Sequence, residues 1–198
     1  VNTFAAPSAE HWFGTDSYGR DLLLRIIYGA RISLFIGFVS VLGAMVAGGA
    51  VGAISGFYGG KTDIIVMRFM DILMAIPSTL MAICVVSALG QGVMNLLLAI
   101  MISLIPQFAM IVRSSVLTIK NSEFIEAARC GGTSTARIII RHILPNAMGP
   151  IIVQATLALG GVILTAASMS FIGLGVQPPE PEWGSILTEG QEFMRDYP

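Results

Sequence analysis

Charged residues are scarce in this sequence: 11 Lys and Arg and 12 Asp and Glu make up 12% of its 198 residues. A soluble domain has about 25%. Because each helix in water needs a polar face, so few charges exclude most soluble folds, and the 55% hydrophobic content excludes intrinsic disorder. The net charge of −1 gives no reason to expect a nucleic acid partner. The composition therefore predicts an integral membrane protein.

The sequence also lacks the residue patterns of catalysis and metal binding. Its two cysteines, Cys84 and Cys130, form no CxxC pair, and neither HExxH nor GxSxG occurs. The stretch 60–62 (Gly-Lys-Thr) looks like the end of a phosphate-binding loop, but the GxxxxGK[ST] spacing requires glycine where Ser55 stands. We therefore predict no catalytic residue, no metal and no bound cofactor, and we expect this chain not to bind ATP itself.

Long runs without charge are prominent instead. They cover residues 32–60, 72–112 and 143–179. A membrane-spanning helix needs about 20 residues, so the middle run is long enough for two spans, and Gly90-Gln91-Gly92 supplies the turn between them. The sequence predicts four spans, near residues 32–57, 72–89, 94–112 and 150–172.

Basic residues distinguish the two sides of the membrane. Four spans place the loops 58–71 and 113–142 on one side, where there are seven basic residues against four on the other. By the positive-inside rule, the side with seven is cytoplasmic. The predicted organisation is an external segment 1–31, a transmembrane core 32–175 with a cytoplasmic segment 113–146, and an external segment 176–198.

Glycines and prolines within the predicted spans indicate how the helices pack and bend. Glycine recurs at every fourth position, at Gly48, Gly52, Gly56 and Gly60. This spacing lets two membrane helices approach closely, so we predict a tight helix interface along that face. Pro77 and Pro106 predict kinks within their spans.

The cytoplasmic segment 113–146 has the most informative sequence. Residues 121–122 can cap a short helix, which Gly131 would end in the left-handed conformation. Residues 133–134 can cap a second helix that runs to Pro145. The first helix carries apolar side chains where a solvated loop would be polar, which favours docking into a groove of a partner protein.

This segment resembles the EAA motif of permease subunits of bacterial ATP-binding-cassette importers. The matching residues are Glu126-Ala127-Ala128, Gly132 and Leu144-Pro145. The general motif has isoleucine where this chain has His142, a difference shared by the dipeptide and oligopeptide branch, to which 141–146 (RHILPN) is similar. Three further stretches resemble the C-type subunit of that branch: 11–21 (HWFGTDSYGRD), 29–34 (GARISL) and 171–175 (FIGLG).

The resemblance implies an all-α, polytopic membrane protein with the type I importer permease fold, and four of its six spans in this sequence. It also implies that the EAA segment is a coupling helix seated in a cleft of a separate ATPase, where Glu126 would pair with a basic residue and Gly132 would allow a sharp turn. The residues implied to couple the two subunits are Glu123, Glu126, Ala127, Ala128, Gly131, Gly132, Leu144 and Pro145.

The resemblance further implies a transport subunit that performs no chemistry. Its implied partners are a second permease subunit, two ATPase subunits that bind ATP and Mg, and an extracytoplasmic substrate-binding protein, assembled at the bacterial inner membrane. Dipeptides or oligopeptides are the favoured cargo, with nickel chelates or glutathione as alternatives; the sequence identifies no substrate-binding residue. An ion-coupled carrier is less favoured, because the predicted spans contain no charged residue.

Overall fold

Helices account for the regular structure of residues 3–176 and 179–195, the ranges that a computed structural model describes. A lone β-bridge pairs Thr15 with Asp21. A π-helical turn, Ile139–Ile143, lies between the sixth and seventh helices. The α-helices are α1 (Leu22–Tyr58), α2 (Gly60–Met74), α3 (Ser78–Leu89), α4 (Val93–Ile119), α5 (Glu123–Cys130), α6 (Thr135–Ile138), α7 (Leu144–Phe171) and α8 (Trp183–Gln191). The predicted all-α class is confirmed.

The first span begins earlier than predicted, because α1 starts at Leu22 rather than near residue 32. Asp21 caps its N-terminus, where Oδ1 accepts a hydrogen bond from the Leu24 backbone N–H at 3.0 Å. The other carboxylate oxygen lies 2.8 Å from Nδ1 of His11. The prediction started the span where charges stop, whereas the helix continues outward through Arg25, which is held by ion pairs.

The second span is broken, and its predicted bounds are wrong. Most of the predicted loop 58–71 is helix α2, and α2 meets α3 at a bend of 86° within the predicted span 72–89, at Pro77, where a kink was predicted. Helix α3 has 12 residues. That length is about 18 Å, well short of the roughly 30 Å hydrocarbon core. Pro77, at the start of α3, explains the break because it has no backbone N–H to donate to the preceding turn.

The other two spans are confirmed with longer bounds. Gly90 and Gly92, both at positive φ, make the predicted turn before α4, and α4 stays helical through Pro106. The predicted fourth span, 150–172, is the end of a continuous 37-residue helix, Thr135–Phe171. The second short helix of the cytoplasmic segment therefore does not stop at Pro145 but runs into the membrane span.

Glycines on α1 allow close contact with α4, as their spacing predicts. A Cβ on Gly48 would lie 2.5 Å from the Ile105 carbonyl oxygen, and one on Gly56 would lie 3.0 Å from the Arg113 carbonyl oxygen. Residue numbers increase in the same direction in both helices of these pairs, so α1 and α4 are parallel. The broken span between them must therefore cross the bundle in the opposite direction. Gly60 lies in α2, where a Cβ would meet nothing within 4 Å, so it takes no part in the contact between α1 and α4.

An ion-pair network at the end of the bundle where α1 begins joins the beginning of α1 to α8, a helix that was not predicted. Arg25 binds Asp16 at 2.8 Å and Glu189 at 2.6 Å. Arg20 binds the same two carboxylates at 2.6 and 2.9 Å. Burial by itself raises the pKa of Asp16, but hydrogen bonds from Arg20 and Tyr18 outweigh it and hold the pKa below its ordinary value. Asp16, Arg20 and Arg25 near the beginning of the chain and Glu189 near its end thus form one ion-pair network that fastens α8 to α1.

Contacts separate the loops into two groups, as predicted from the four crossings. At one end, Gln91 Nε2 donates to the Gly173 carbonyl at 2.9 Å. At the other end, Lys120 Nζ donates to the Gly56 carbonyl at 2.8 Å. Three helices are long and apolar enough to cross a membrane, and the bent pair makes up to four. The cytoplasmic placement of the Lys120 end stays a prediction of the positive-inside rule.

Candidate functional site

Helix α5 has one buried side chain, Ile125, which attaches it to the bundle. Ile125 is 0% exposed and belongs to an apolar group that we call the inner cluster. The cluster consists of Ala53, Val112, Val116, Ile125, Ile138, Ile143, Ala147 and Ile151. Since these residues come from α1, α4, α5 and the long helix Thr135–Phe171, a force on α5 acts directly on three membrane-spanning helices.

The opposite face of α5 is open. Glu123, Glu126 and Ala127 are exposed, and the Phe124 side chain is 47% exposed. Ser122 stands at the N-cap position in an extended conformation, as predicted, although its hydroxyl donates to the Ile119 carbonyl rather than capping the helix. Carboxylates in the first turn of a helix oppose the positive end of its dipole and are favourable there. The arrangement presents two carboxylates and an apolar ring on a rigid, protruding helix.

The C-terminus of α5 is a Schellman motif, and it corrects one prediction. Gly131 has φ −73 and is not left-handed; Gly132, at φ +72, is. The Thr133 N–H donates to the Ala128 carbonyl at 3.1 Å, and the Gly132 N–H donates to the Arg129 carbonyl at 3.0 Å. The glycine of the EAA motif is thus the residue that stops the helix and reverses the chain.

Replacement of Gly132 by alanine is expected to destabilise the turn through its backbone alone. A Cβ there would meet nothing within 4 Å, so the left-handed conformation, with a cost of roughly 1–2 kcal/mol, is the whole effect. Thermal unfolding of the full-length subunit in detergent measures it. The control is Gly160→Ala in α7, which has equal space and no positive φ and should be neutral or slightly stabilising. Equal melting temperatures for the two variants would contradict this account.

After the turn, the helix passes through a wider π-helical turn before it enters the membrane. Ser134 stands at the N-cap position of α6, consistent with the predicted capping pair. The π-helical turn Ile139–Ile143 then precedes Pro145, whose ring crowds the preceding turn and whose missing N–H leaves a carbonyl unpaired. Asn146 Nδ2 donates to the His142 carbonyl at 2.6 Å, which satisfies one acceptor in this turn. The Leu-Pro part of the motif therefore directly follows a π-helical turn inside the continuous helix Thr135–Phe171.

A second connection at this end was not predicted. Arg113 binds Asp63 with Nε–Oδ1 and NH2–Oδ2 distances of 2.5 and 2.6 Å, and the Ser55 hydroxyl donates to the same carboxylate at 2.5 Å. The ion pair joins α2 to α4, while Ser55 adds α1. Bidentate geometry makes such a pair directional as well as strong. No local sequence pattern relates Asp63 to Arg113, because they are 50 residues apart.

The residues of the EAA resemblance fall on two sides of this structure. Ala128 and Leu144 pack against the inner cluster. The other six, Glu123, Glu126, Ala127, Gly131, Gly132 and Pro145, are exposed. Among the described residues, no group of three His, Cys, Asp or Glu side chains could hold a metal. The motif thus combines a surface for a partner with an attachment to the bundle.

Comparison with known families relates this arrangement to a described group. The family described as binding-protein-dependent transport system inner membrane component matches residues 48–195. The chain belongs to this family. The match includes the predicted coupling residues, the inner cluster and α8, so it extends well beyond the EAA motif.

Curated permeases are similar over nearly all of this chain. A dipeptide transport system permease protein, DppC, of Alkalihalophilus pseudofirmus is 49% identical over 100% of the chain and 65% of its own length. A glutathione transport system permease protein, GsiD, of Pectobacterium atrosepticum is 46% identical over 95% of the chain. A di/tripeptide permease, DppC, of Pseudomonas aeruginosa is 43% identical over 94%. The chain spans less than two thirds of the length of these relatives.

A solved permease structure has the same fold. The inward-facing MetNI methionine ABC transporter superimposes with a TM-score of 0.72, over 88% of this chain and 82% of that one. Identity is 20%, so the likeness concerns the fold alone. It confirms the type I permease architecture predicted from the EAA resemblance.

Proposed function

We propose that this chain is the translocation core of one permease subunit in an ATP-driven importer, coupled to a separate ATPase through α5. The observation that carries the proposal is the two-sided geometry of α5, with Glu126 exposed and Ile125 buried in the inner cluster. A docking helix needs an outward surface for its partner and a firm inward attachment. Both lie within one eight-residue helix.

The coupling residues work together in this proposal. Glu123 and Glu126 offer carboxylates to basic groups in a cleft of the ATPase, and Phe124 and Ala127 supply apolar contact beside them. Gly132 reverses the chain inside the cleft. Closure of the ATPase dimer then moves α5, and the inner cluster transmits that displacement to the spans as a rigid-body rotation.

The remaining partners follow from the importer as a whole. A second permease subunit completes the pathway, and two ATPase subunits bind and hydrolyse ATP with Mg. An extracytoplasmic binding protein delivers the solute to the outer end, where residues 3–21 and α8 are exposed in part. The assembly belongs in the bacterial inner membrane.

Dipeptides or oligopeptides are the proposed cargo. Relatives named for dipeptide and di/tripeptide transport support this class, and one named for glutathione supports a peptide of the same chemistry. Nickel chelates remain the alternative within the same machinery. An ion-coupled carrier is disfavoured, because an exposed docking helix would have no function in it.

Replacement of Glu126 by alanine tests the coupling. We expect uptake of a labelled dipeptide by the assembled importer in proteoliposomes to fall at least tenfold, because a buried charge-assisted pair with the ATPase contributes roughly 2–5 kcal/mol. Substrate-stimulated ATP hydrolysis should fall with it. Membrane insertion should stay normal, since the side chain is exposed in this chain.

Asn121→Ala is the matched control, since Asn121 is exposed immediately before the same helix and belongs to no part of the motif. It should transport normally. Normal uptake by Glu126→Ala, or equal losses in both variants, would remove the support for α5 as the coupling element.

A further inference from the structure

Two glutamine side chains lie deep in the spans without a partner in the described part of the chain. Gln107 is near the middle of α4, roughly 20 Å from either end of that helix at a rise of about 1.5 Å per residue. Gln154 lies in the long helix Thr135–Phe171, roughly 25 Å from Phe171. Each amide carries two donors and an acceptor. In hydrocarbon, leaving these groups unpaired would cost several kcal/mol, so the site they face is not lipid.

Both glutamines line a groove. A cavity of about 260 Å³ lies between α4 and α7, and its polar lining consists of Ser78, Ser103, Gln107, Gln154 and Thr165. A smaller cavity of about 100 Å³ shares Ser78, Ser103 and Gln107 with it and extends to the break in the second span. The two cavities adjoin along these shared residues; together we call them the groove, and neither lining contains a charged residue.

The break itself needs a wet or protein-covered environment. Ile76 and Pro77, in the irregular stretch between α2 and α3, are exposed and line the smaller cavity. Irregular backbone at membrane depth is tolerated only where it is buried in protein or faces a water-filled cavity. The break and the unpaired amides therefore point to the same face of the bundle.

We propose that this groove, with Gln107 and Gln154 as its principal contacts, is one wall of the path through which a transported peptide moves. The inference rests on the proposed function. A primary amide pairs with a peptide group through one donor and one acceptor, whatever side chains the peptide carries. Neutral partners hold the solute weakly, and conduction requires weak sites that release what they bind. Ser78 and Ser103 add hydroxyls along the same wall.

Uptake by leucine variants tests the contacts. In the assembled importer in proteoliposomes, Gln107→Leu and Gln154→Leu should each lower uptake of labelled dipeptide or glutathione, whichever the unmodified importer takes up, by about three- to tenfold per lost hydrogen bond. Thr156→Val is the control, because Thr156 is exposed on α7 outside the groove and its hydroxyl donates to its own helix. Equal uptake by all three variants would overturn the proposal.

Cysteine labelling tests whether the groove contains water and substrate. In a chain with Cys84 and Cys130 replaced by serine, Gln107→Cys and Gln154→Cys should react with a charged methanethiosulfonate reagent during ATP turnover, and saturating substrate should slow the reaction severalfold. Thr156→Cys should stay unreactive. No reaction at either groove position, or reaction that substrate leaves unchanged, would overturn the proposal.

The two proposals can fail separately. If Glu126→Ala uncouples transport while both leucine variants transport normally, the importer function stands and the groove is not its path. If the groove cysteines are protected by peptide while Glu126→Ala transports normally, the path stands and the coupling assignment fails.

Discussion

Gly52→Ala is expected to destabilise the bundle more than any other glycine-to-alanine change in α1. A Cβ at this position would overlap the Ala109 carbonyl oxygen and lie 3.0 Å from the Arg113 backbone nitrogen. Both obstacles are backbone of α4, so no side-chain rotation relieves them. Overpacking in a rigid core costs about 1–3 kcal/mol, and here the two helices must separate, so we expect a loss at or above the upper end.

Thermal unfolding of the purified full-length subunit measures this loss. Gly49→Ala is the matched control on the same helix, because its Cβ would lie 3.8 Å from Val112 Cγ2, an ordinary contact. Gly49→Ala should leave the melting temperature unchanged or raise it slightly, since alanine has the higher helix propensity. A similar decrease in both variants would mean that α1 and α4 separate more easily than their packing indicates.

The close packing of α1 and α4 was predictable from the sequence because its cause is periodic. A glycine at every fourth position puts all the small residues on one helix face, and a neighbour can approach only there. The turn at Gly90 and Gly92 was equally predictable, because two glycines interrupt an otherwise continuous apolar run. Both features were predictable because the residues that produce them are close together in the sequence.

The kink of the broken span at Pro77 was predicted, but helix α2 was not, because composition cannot determine where a crossing begins. Four charged residues in α2, Lys61, Asp63, Arg68 and Asp71, made that stretch resemble a loop. In the structure one of them, Asp63, is neutralised by Arg113 from a distant helix. A charge at the end of a span is inexpensive once it is paired, and its partner is visible only in three dimensions.

In the candidate coupling site, too, some features follow from local sequence signals and others do not. Capping signals placed α5 correctly, but they assigned the left-handed conformation to Gly131 when Gly132 adopts it. Either glycine can end a helix, and the choice depends on which residue lets the following chain reach the inner cluster. Gly132 is required by its left-handed conformation, whereas no contact among the described residues accounts for the exposed Glu126 and Ala127, which is what a surface shaped by a partner would show.

Glu182→Ala is expected to have the second large effect, at the end of the bundle where α1 begins. Glu182 is 0% exposed, and its carboxylate accepts hydrogen bonds from the Ser33 hydroxyl at 3.0 Å and from the Gly184 and Ser185 N–H groups at 2.8 and 3.1 Å. Truncation removes all three acceptor contacts. Buried donors left unpaired cost about 1–3 kcal/mol each when water cannot reach them. We expect α8 to detach from α1, with earlier melting and faster proteolysis within residues 179–195.

Two further variants separate the shape of this site from its charge. Glu182→Gln keeps one oxygen for the two N–H donors, and its amide N–H₂ can donate to Ser33 if that hydroxyl rotates, so we expect most of the stability to return. Glu192→Ala, an exposed change just beyond α8, should have no effect. If Glu182→Gln melts as early as Glu182→Ala, the negative charge itself holds the helix N-terminus. If it melts near the unmodified protein, the hydrogen bonds alone fasten α8 to the bundle.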